Sequence, residues 1–419
     1  MRFRESWEAD ELEVKEIVLE GHIIDSWILP RVLDLVMDLD GDFEFLEFNV
    51  GKKKTEKSFV RMLIKGKDQQ HLDRLLSELR ELGAALPEME AVRTEPAPRD
   101  GVLPSGFYST TNHATFVNAK GRWAEVSDIE MDCAIVFKDG KAKCLPMGEV
   151  KMGDRVVVGN QGVRVIPPER PRESTGIFEF MTSMASSEKP VGTVVSRLAK
   201  EMWELRARGA KVVAVAGPAV VHTGAAPSLA WMIRHGFVGC LLAGNALAAH
   251  DVECALFGTS LGTDIATAER HKGGHGHHLM AINEVRRHGS IRACVENGVL
   301  KSGIMYECIR NKVPFVLAGS IRDDGPLPDV ITDVIEAQKR MRQALSGAEL
   351  VMMFATMLHS IAVGNILPSA VRTVCVDISG SAVTKLLDRG SAQVLGVVSD
   401  VGVFLPALQK ELRVLEGKQ

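Results

Sequence analysis

A doubly wound α/β sheet, preceded by a small βαββα module and a short β-rich region, is the architecture the sequence predicts. Three observations carry it. Between Glu349 and Val401 the apolar runs Leu350–Ala355, Thr373–Val376 and Val394–Val398 are too short for buried helices, do not alternate, and stop at small or polar residues, as strands covered on both faces do. From Ser187 onward helical and strand patterns alternate, which is how a mostly parallel sheet with helices on both faces is written. The first eighty residues run strand, helix, strand, strand, helix.

Taken in order, residues 14–24 alternate as a strand and Trp27–Asp38 carries apolar residues at 28, 32, 33, 35 and 36, one helical face. Asp42–Val50 and Lys57–Lys65 are two further strands, and Gln69–Leu82 is a helix with leucine at 72, 75, 76, 79 and 82. The βαββα order is that of ACT/ferredoxin-like modules, an analogy of fold alone. Pro87–Pro104 turns to Pro, Glu and Arg and is read as a linker. A strand-rich region follows to about Pro168, with runs at Arg122–Val126, Cys133–Phe137 and Arg155–Val158. The last part opens on a helix with Val191, Val194, Val195, Leu198, Met202 and Leu205 on one face. Its strands are predicted at Lys211–Ala216, Val238–Ala243, Ala255–Phe257 and Pro314–Ala318, which with the three above makes about seven. The expected domains are residues 1–95, 96–170 and 171–419.

Composition narrows the function classes. The chain has 419 residues, 46% hydrophobic and 25% charged, with a net charge of −4 and no basic tract beyond Lys52–Lys54, so nucleic acid and membrane surfaces are not expected partners. Seven scattered cysteines without a CxxC pair read as reduced thiols of a cytoplasmic protein. No apolar leader and no membrane-length run is present.

Chemistry is expected at the carboxyl ends of the parallel strands, where open α/β sheets bind ligands. Asp377 closes one strand in the position of an acid that takes a ribose hydroxyl pair. Thr356–His359 open a helix whose amides suit a pyrophosphate, and Asp400 and Val401 close a third strand. Helix N-capping alone would also explain Asp377 and Asp400. No GxGxxG is present. Small-residue turns at Ala216–Gly224, Ala243–Leu247 and Ala318–Gly325 let backbone approach a ligand closely, and three of them suggest a shared pocket. Gly106–Thr115 packs five hydroxyls, an amide and an imidazole into ten residues, more than a turn needs. The tract Gly273-Gly-His-Gly-His-His278 has no carboxylates at helix spacing and no second His/Cys cluster nearby, so a lid or substrate loop is expected there and no metal site. Lys301 is a candidate low-pKa amine or a solvated helix-start lysine.

With these residues in view the sequence resembles the archaeal-type ornithine cyclodeaminases that carry the LOR/SDH conserved region, and the C-terminal half of the cyanobacterial arginine dihydrolase/ornithine cyclodeaminase. The stretches that carry the resemblance span nearly the whole chain: Leu19-Glu-Gly-His-Ile-Ile-Asp-Ser26, Gly106–His113, Glu130-Met-Asp-Cys133, Gly162-Val-Arg-Val165, Gly244-Asn-Ala-Leu-Ala-Ala-His-Asp251 and Asp377-Ile-Ser-Gly380. The resemblance implies a Rossmann-like NAD-binding domain similar to deoxyhypusine synthase, a homo-oligomer, and NAD-dependent conversion of L-ornithine to L-proline with loss of ammonia. It also implies NAD contacts at Asn245, Ala246, Asp324, Thr356, Met357, Leu358, His359, Asp377, Asp400 and Val401. In that chemistry hydride leaves the α-carbon, the δ-amine attacks the imine, ammonia departs and the cyclic imine takes the hydride back, so the site must exclude water and hold a proton acceptor. Ser109, Thr110, Asn112 and His113 are the expected substrate contacts, with Arg122 or Arg164 as a carboxylate clamp. His113, Asp264, His278 and Lys301 are the candidate bases. The alternatives are an amino-acid sensor that binds NAD without turnover, and a synthase-type transferase.

Overall fold

The computed structural model describes residues 13–24, 26–52, 56–84, 91–119, 121–138, 141–167, 191–264, 276–323, 325–387 and 394–417. The chain divides into two compact units, one of Met1–Thr175 with Pro368–Ala370, the other of Gly176–Leu367 and Val371–Gln419.

The first unit begins with β1 (Glu13–Gly21), α1 (Ile28–Asp38), β2 (Asp42–Asn49), β3 (Ser58–Gly66) and α2 (Gln69–Glu81), the predicted βαββα order. Its sheet is antiparallel with β3 in the middle. Alternation in β3 sends Val60, Met62 and Ile64 into one face, where they meet Val32 and Val36 of α1 and Leu72, Leu75 and Leu79 of α2. Burying each such side chain contributes about 1.5–3 kcal/mol. Asp68 caps α2 by accepting from the His71 amide at 2.7 Å.

The β-rich part follows: β4 (Arg93–Pro96), β5 (Ala114–Ala119), β6 (Arg122–Glu125), β7 (Ala134–Lys138), β8 (Lys141–Leu145), β9 (Arg155–Val158) and β10 (Val163–Ile166). They form one sheet in the order β4-β9-β7-β8 and another in the order β10-β5-β6. β4 lies inside the stretch read as a linker. Pairing with β9 along Arg93–Pro96 overrides its proline and charge content, and Pro96 sits at the strand's end, where a missing amide does least harm.

The second unit is the doubly wound sheet. Its elements are α3 (Val191–Ala207), β11 (Lys211–Ala216), α4 (Ala219–His222), α5 (Ala226–Arg234), β12 (Cys240–Gly244), α6 (Asn245–Phe257), β13 (Thr259–Ser260), β14 (Thr263–Asp264), α7 (His277–His288), α8 (Ile291–Glu296), α9 (Ile304–Arg310), β15 (Phe315–Ala318), β16 (Val330–Ile331), α10 (Val334–Leu345), β17 (Ala348–Phe354), α11 (Met357–Ile366), β18 (Arg372–Asp377), α12 (Gly380–Leu387), β19 (Val394–Val398) and α13 (Val401–Glu416). The seven-stranded order is β16-β15-β12-β11-β17-β18-β19, with every pairing parallel. Odd and even strand residues go to opposite sides: Ala214, Leu241, Met352 and Val374 pack with α3, α5–α9 and α13, while Val213, Leu242, Val351 and Cys375 pack with α10–α12.

One predicted strand is absent. Ala255–Phe257 is the last turn of α6, a helix buried along most of its length, from Leu247 to Glu253. A helix apolar on nearly all sides has no 3.6-residue stripe to read. The seventh strand is instead β16, only two residues long. None of the seven cysteines forms a disulfide, and among the described residues no helix is long and apolar enough to cross a membrane.

Candidate functional site

The strand order reverses between β11 and β17, because the chain walks from β11 outward to β16 and then returns to the other side of β11. Ligands of such sheets bind beyond the strand ends at this switch. There the two turns touch. The Gly217 amide donates to Phe354 O at 2.9 Å, and a Cβ on Gly217 would lie 2.1 Å from Ala355 O and 2.9 Å from Thr356 Cβ. Ala355 itself takes a left-handed φ of 47°.

Two long helices start at these strand ends without a side-chain cap. α11 begins after Thr356, whose hydroxyl is turned to His359 Nδ1 at 3.1 Å. α6 begins after Gly244, and the Asn245 side chain accepts from Leu327 N–H at 3.0 Å rather than capping its own helix. Their first amides are therefore left for a ligand, and a pyrophosphate is the group such ends attract. The two starts adjoin, since a Cβ on Gly244 would fall 2.9 Å from His359 Cε1. Burial holds the His359 imidazole below its usual pKa, so it stands neutral at pH 7.

Asp377 ends β18 half-buried. Its Oδ1 accepts from the Ser379 amide at 2.8 Å, which fixes the carboxylate, and Oδ2 has no hydrogen-bond partner among the described residues. Asp400 is engaged as the N-cap of α13, accepting from Gly402 N–H at 2.7 Å, and the Val401 side chain is buried. Met357 and Leu358 are exposed, Leu358 at 71%. Asp324 and the Asp264 side chain lie outside the described residues, as do Gly273–His275. Lys301 is exposed between α8 and α9. Among the described residues no group of three or more His, Cys, Asp or Glu side chains is arranged to hold a metal.

In the first unit the polar stretch divides by role. Thr110 Oγ1 donates to Glu130 O at 2.6 Å and accepts from Cys133 N–H at 3.0 Å, so its hydroxyl ties two loops together. Ser109 is exposed. Asn112 is 1% exposed, yet among the described residues neither its Oδ1 nor its Nδ2 has a partner, and His113 Nδ1 is likewise buried and unpaired. Leaving such a group unsatisfied costs about 1–3 kcal/mol, a cost a bound polar ligand would offset. Arg122 is exposed at the start of β6, and Arg164 lines a small groove with Glu20 and Ile23.

Burial, and after it the Arg31 guanidinium, push the His113 imidazole down to about 4. Between the ordinary histidine value and 4 the unfolded chain binds this proton and the folded chain does not, so stability falls as pH drops through that window. The Tm lost between pH 7 and pH 5 should accordingly be smaller in His113→Gln than in the wild type. Equal losses would show that the ring is not desolvated.

Residues that the sequence reading did not connect also meet at the strand ends: His222 of α4, His250 and Glu253 of α6, and Ser260 of β13. The signal was the i, i+3 spacing of His250 and Glu253 on one helix.

Family models match the chain from residue 14 to residue 408. Residues 14–113 match the LOR/SDH bifunctional enzyme conserved region, 114–195 the first region of the arginine dihydrolase ArgZ-like C-terminal part, and 196–408 its Rossmann fold. The ornithine cyclodeaminase of Methanopyrus kandleri is 62% identical, covering 97% of this chain and 98% of its own length. Among solved structures, the cyanobacterial arginine dihydrolase ArgZ without ligand is similar with a TM-score of 0.85 and 40% identity, over 99% of this chain and 61% of that one. A ternary complex of AgrE with ornithine and NAD+ is similar with a TM-score of 0.54 and 43% identity, over 97% of this chain and 59% of that one.

Proposed function

The chain belongs to the ornithine cyclodeaminase family that carries the LOR/SDH region, and from that premise we propose that it converts L-ornithine to L-proline and ammonia using NAD. The observation that carries the proposal is the AgrE complex, a relative 43% identical across 97% of this chain that binds ornithine and NAD+ together. The strand ends of the second unit fit the dinucleotide: two adjoining helix starts without side-chain caps and a carboxylate oxygen left open at Asp377. When bound there, NAD supplies a hydride acceptor for the α-carbon of ornithine and returns the hydride to the ring.

The roles of this chain's residues follow from what each group offers. The first amides of α6 and α11 would hold the pyrophosphate, with Asn245 fixed by Leu327 and Thr356 by His359. Asp377 Oδ2 would accept from a ribose hydroxyl. Asn112 brings two donors and an acceptor, and neutral His113 one of each, to an α-amino acid whose carboxylate and amines need exactly such partners. Seven cysteines that form no disulfide support a cytoplasmic enzyme.

Pure protein given L-ornithine and a small amount of NAD should form one proline and one ammonia per ornithine consumed. Formation of neither overturns the proposal. Prior treatment with EDTA should leave the rate unchanged, because the reaction needs a hydride acceptor and proton transfers but no Lewis acid. Loss of turnover with EDTA and recovery with zinc would make the His275–His278 tract a metal site.

A further inference from the structure

The ornithine reading requires a proton acceptor, and the histidine whose surroundings best suit that task is in the second unit. His250 lies on α6 five residues beyond the helix start at Asn245, about 7–8 Å along the helix axis, and is 8% exposed. Its Nδ1 meets Glu253 Oε2 at 2.8 Å. Glu253 is completely buried and also accepts from Thr259 Oγ1 and Gly262 N–H, both at 3.0 Å, and from Leu261 N–H at 3.2 Å. Burial works to raise its pKa, but the hydrogen bonds from His250, Gly262 and Thr259 more than offset that and hold it ionised. An ionised acceptor fixes the proton of a neutral imidazole on Nδ1 and leaves the lone pair on Nε2. Among the described residues that nitrogen has no hydrogen-bond partner.

Most of the neighbouring side chains are engaged elsewhere. The His222 ring stands edge-on to His250 with centroids 4.7 Å apart, its own Nδ1 at 2.6 Å from Ser260 Oγ. Desolvation and then His250 bring His222 down to about 4, so it adds no charge at neutral pH. From α7, His278 lies 6.0 Å from His250, and His277 is turned to Thr259 at 2.8 Å. Asp251, next in α6, is occupied by the amides of Ile304 and Met305. Among the described residues Glu253 is thus the one carboxylate bonded to the ring. To hold the 259–262 turn alone, Glu253 would need no imidazole. His113, held at about 4, is too weak a base for the same task at pH 7.

We propose that His250 is the acid–base group of the reaction and that Glu253 is its positioning residue, an assignment that rests on the ornithine reading. The Nε2 lone pair takes a proton from the substrate α-ammonium: one N–H bond of the ammonium breaks, its electron pair stays on the substrate nitrogen, and imidazolium forms. The same proton passes to the amine that departs as ammonia; the freed lone pair then takes one N–H proton from the former δ-nitrogen as the cyclic iminium forms and returns it to that nitrogen once the hydride is back, so His250 ends each cycle neutral and no electrons pass through it.

His250→Gln should lower kcat/KM about 10³-fold while the NAD Kd and Tm stay near wild type. Glu253→Gln should lower kcat about 10-fold with KM near wild type, because a neutral partner stabilises the imidazolium formed in the transition state less than a carboxylate does. Nitrogen NMR of the wild type, assigned with His250→Gln, should show His250 as the Nδ1–H tautomer. Near-wild-type turnover in His250→Gln, or an Nε2–H tautomer, overturns the proposal. A kcat unchanged in Glu253→Gln overturns the role of Glu253. If His250→Gln fails to fold, the kcat of Glu253→Gln and the tautomer decide. A wild type that binds NAD but leaves ornithine unreacted defeats the ornithine reading, whereas the tautomer still reports whether His250 is poised as a base.

Discussion

Asn112→Ala and His113→Ala should each cut kcat/KM for ornithine by 10² or more, about 2.7 kcal/mol of transition-state stabilisation, while leaving NAD affinity unchanged. The reason lies in what these side chains lack. Among the described residues Asn112 is buried with both side-chain amide atoms unpaired and His113 has an unpaired Nδ1, so through these atoms they give the fold no hydrogen bond. Groups kept at that cost are expected to find their partners in the substrate. The stability readout separates this from a structural role. Asn112→Leu, close in volume, should be neutral or raise Tm, since it removes an unsatisfied buried amide. A structural asparagine would instead lose stability together with activity. Near-wild-type kinetics in both alanine variants would reduce the stretch to a surface-loop turn.

Asp377→Ala should weaken NAD by about 1–3 kcal/mol, roughly 5- to 150-fold, as a charge-assisted bond to a ribose hydroxyl is lost. The Ser379 amide already fixes Oδ1, so Oδ2 is presented without further ordering. The same carboxylate would repel a 2′-phosphate, and the residues that follow, Ile378-Ser-Gly380, supply no cation to offset it. NAD should therefore be strongly preferred over NADP in the wild type. Unchanged NAD affinity in Asp377→Ala, or equal use of NADP, would leave Asp377 with the Ser379 turn as its only role.

Much of this was legible in the sequence because strands buried on both faces are short apolar runs, and those at 211–216, 350–355 and 373–376 fall on β11, β17 and β18. The first module was equally clear, for β3 alternates strictly and α2 repeats leucine on one face. What escaped did so for physical reasons. α6 is buried on nearly all sides and carries no stripe, β4 hides in a charged, proline-bearing stretch that only its pairing with β9 organises, and β16 is too short to leave a pattern. At the candidate site, Asp377 and Thr356 could be placed from strand ends alone. The grouping of His222, His250, Glu253 and Ser260 could not, because it joins residues from the turns after two neighbouring strands, and no periodicity encodes that meeting.

The most direct measurement is the fate of the α-hydrogen. L-Ornithine deuterated at Cα, incubated with the pure protein and NAD at a small fraction of the substrate concentration, should yield proline that keeps deuterium at Cα, with one ammonia per proline and no net NADH. Proline carrying protium at Cα, or NADH accumulating in step with ornithine consumed, would contradict an enzyme that takes a hydride from its substrate and gives the same hydride back.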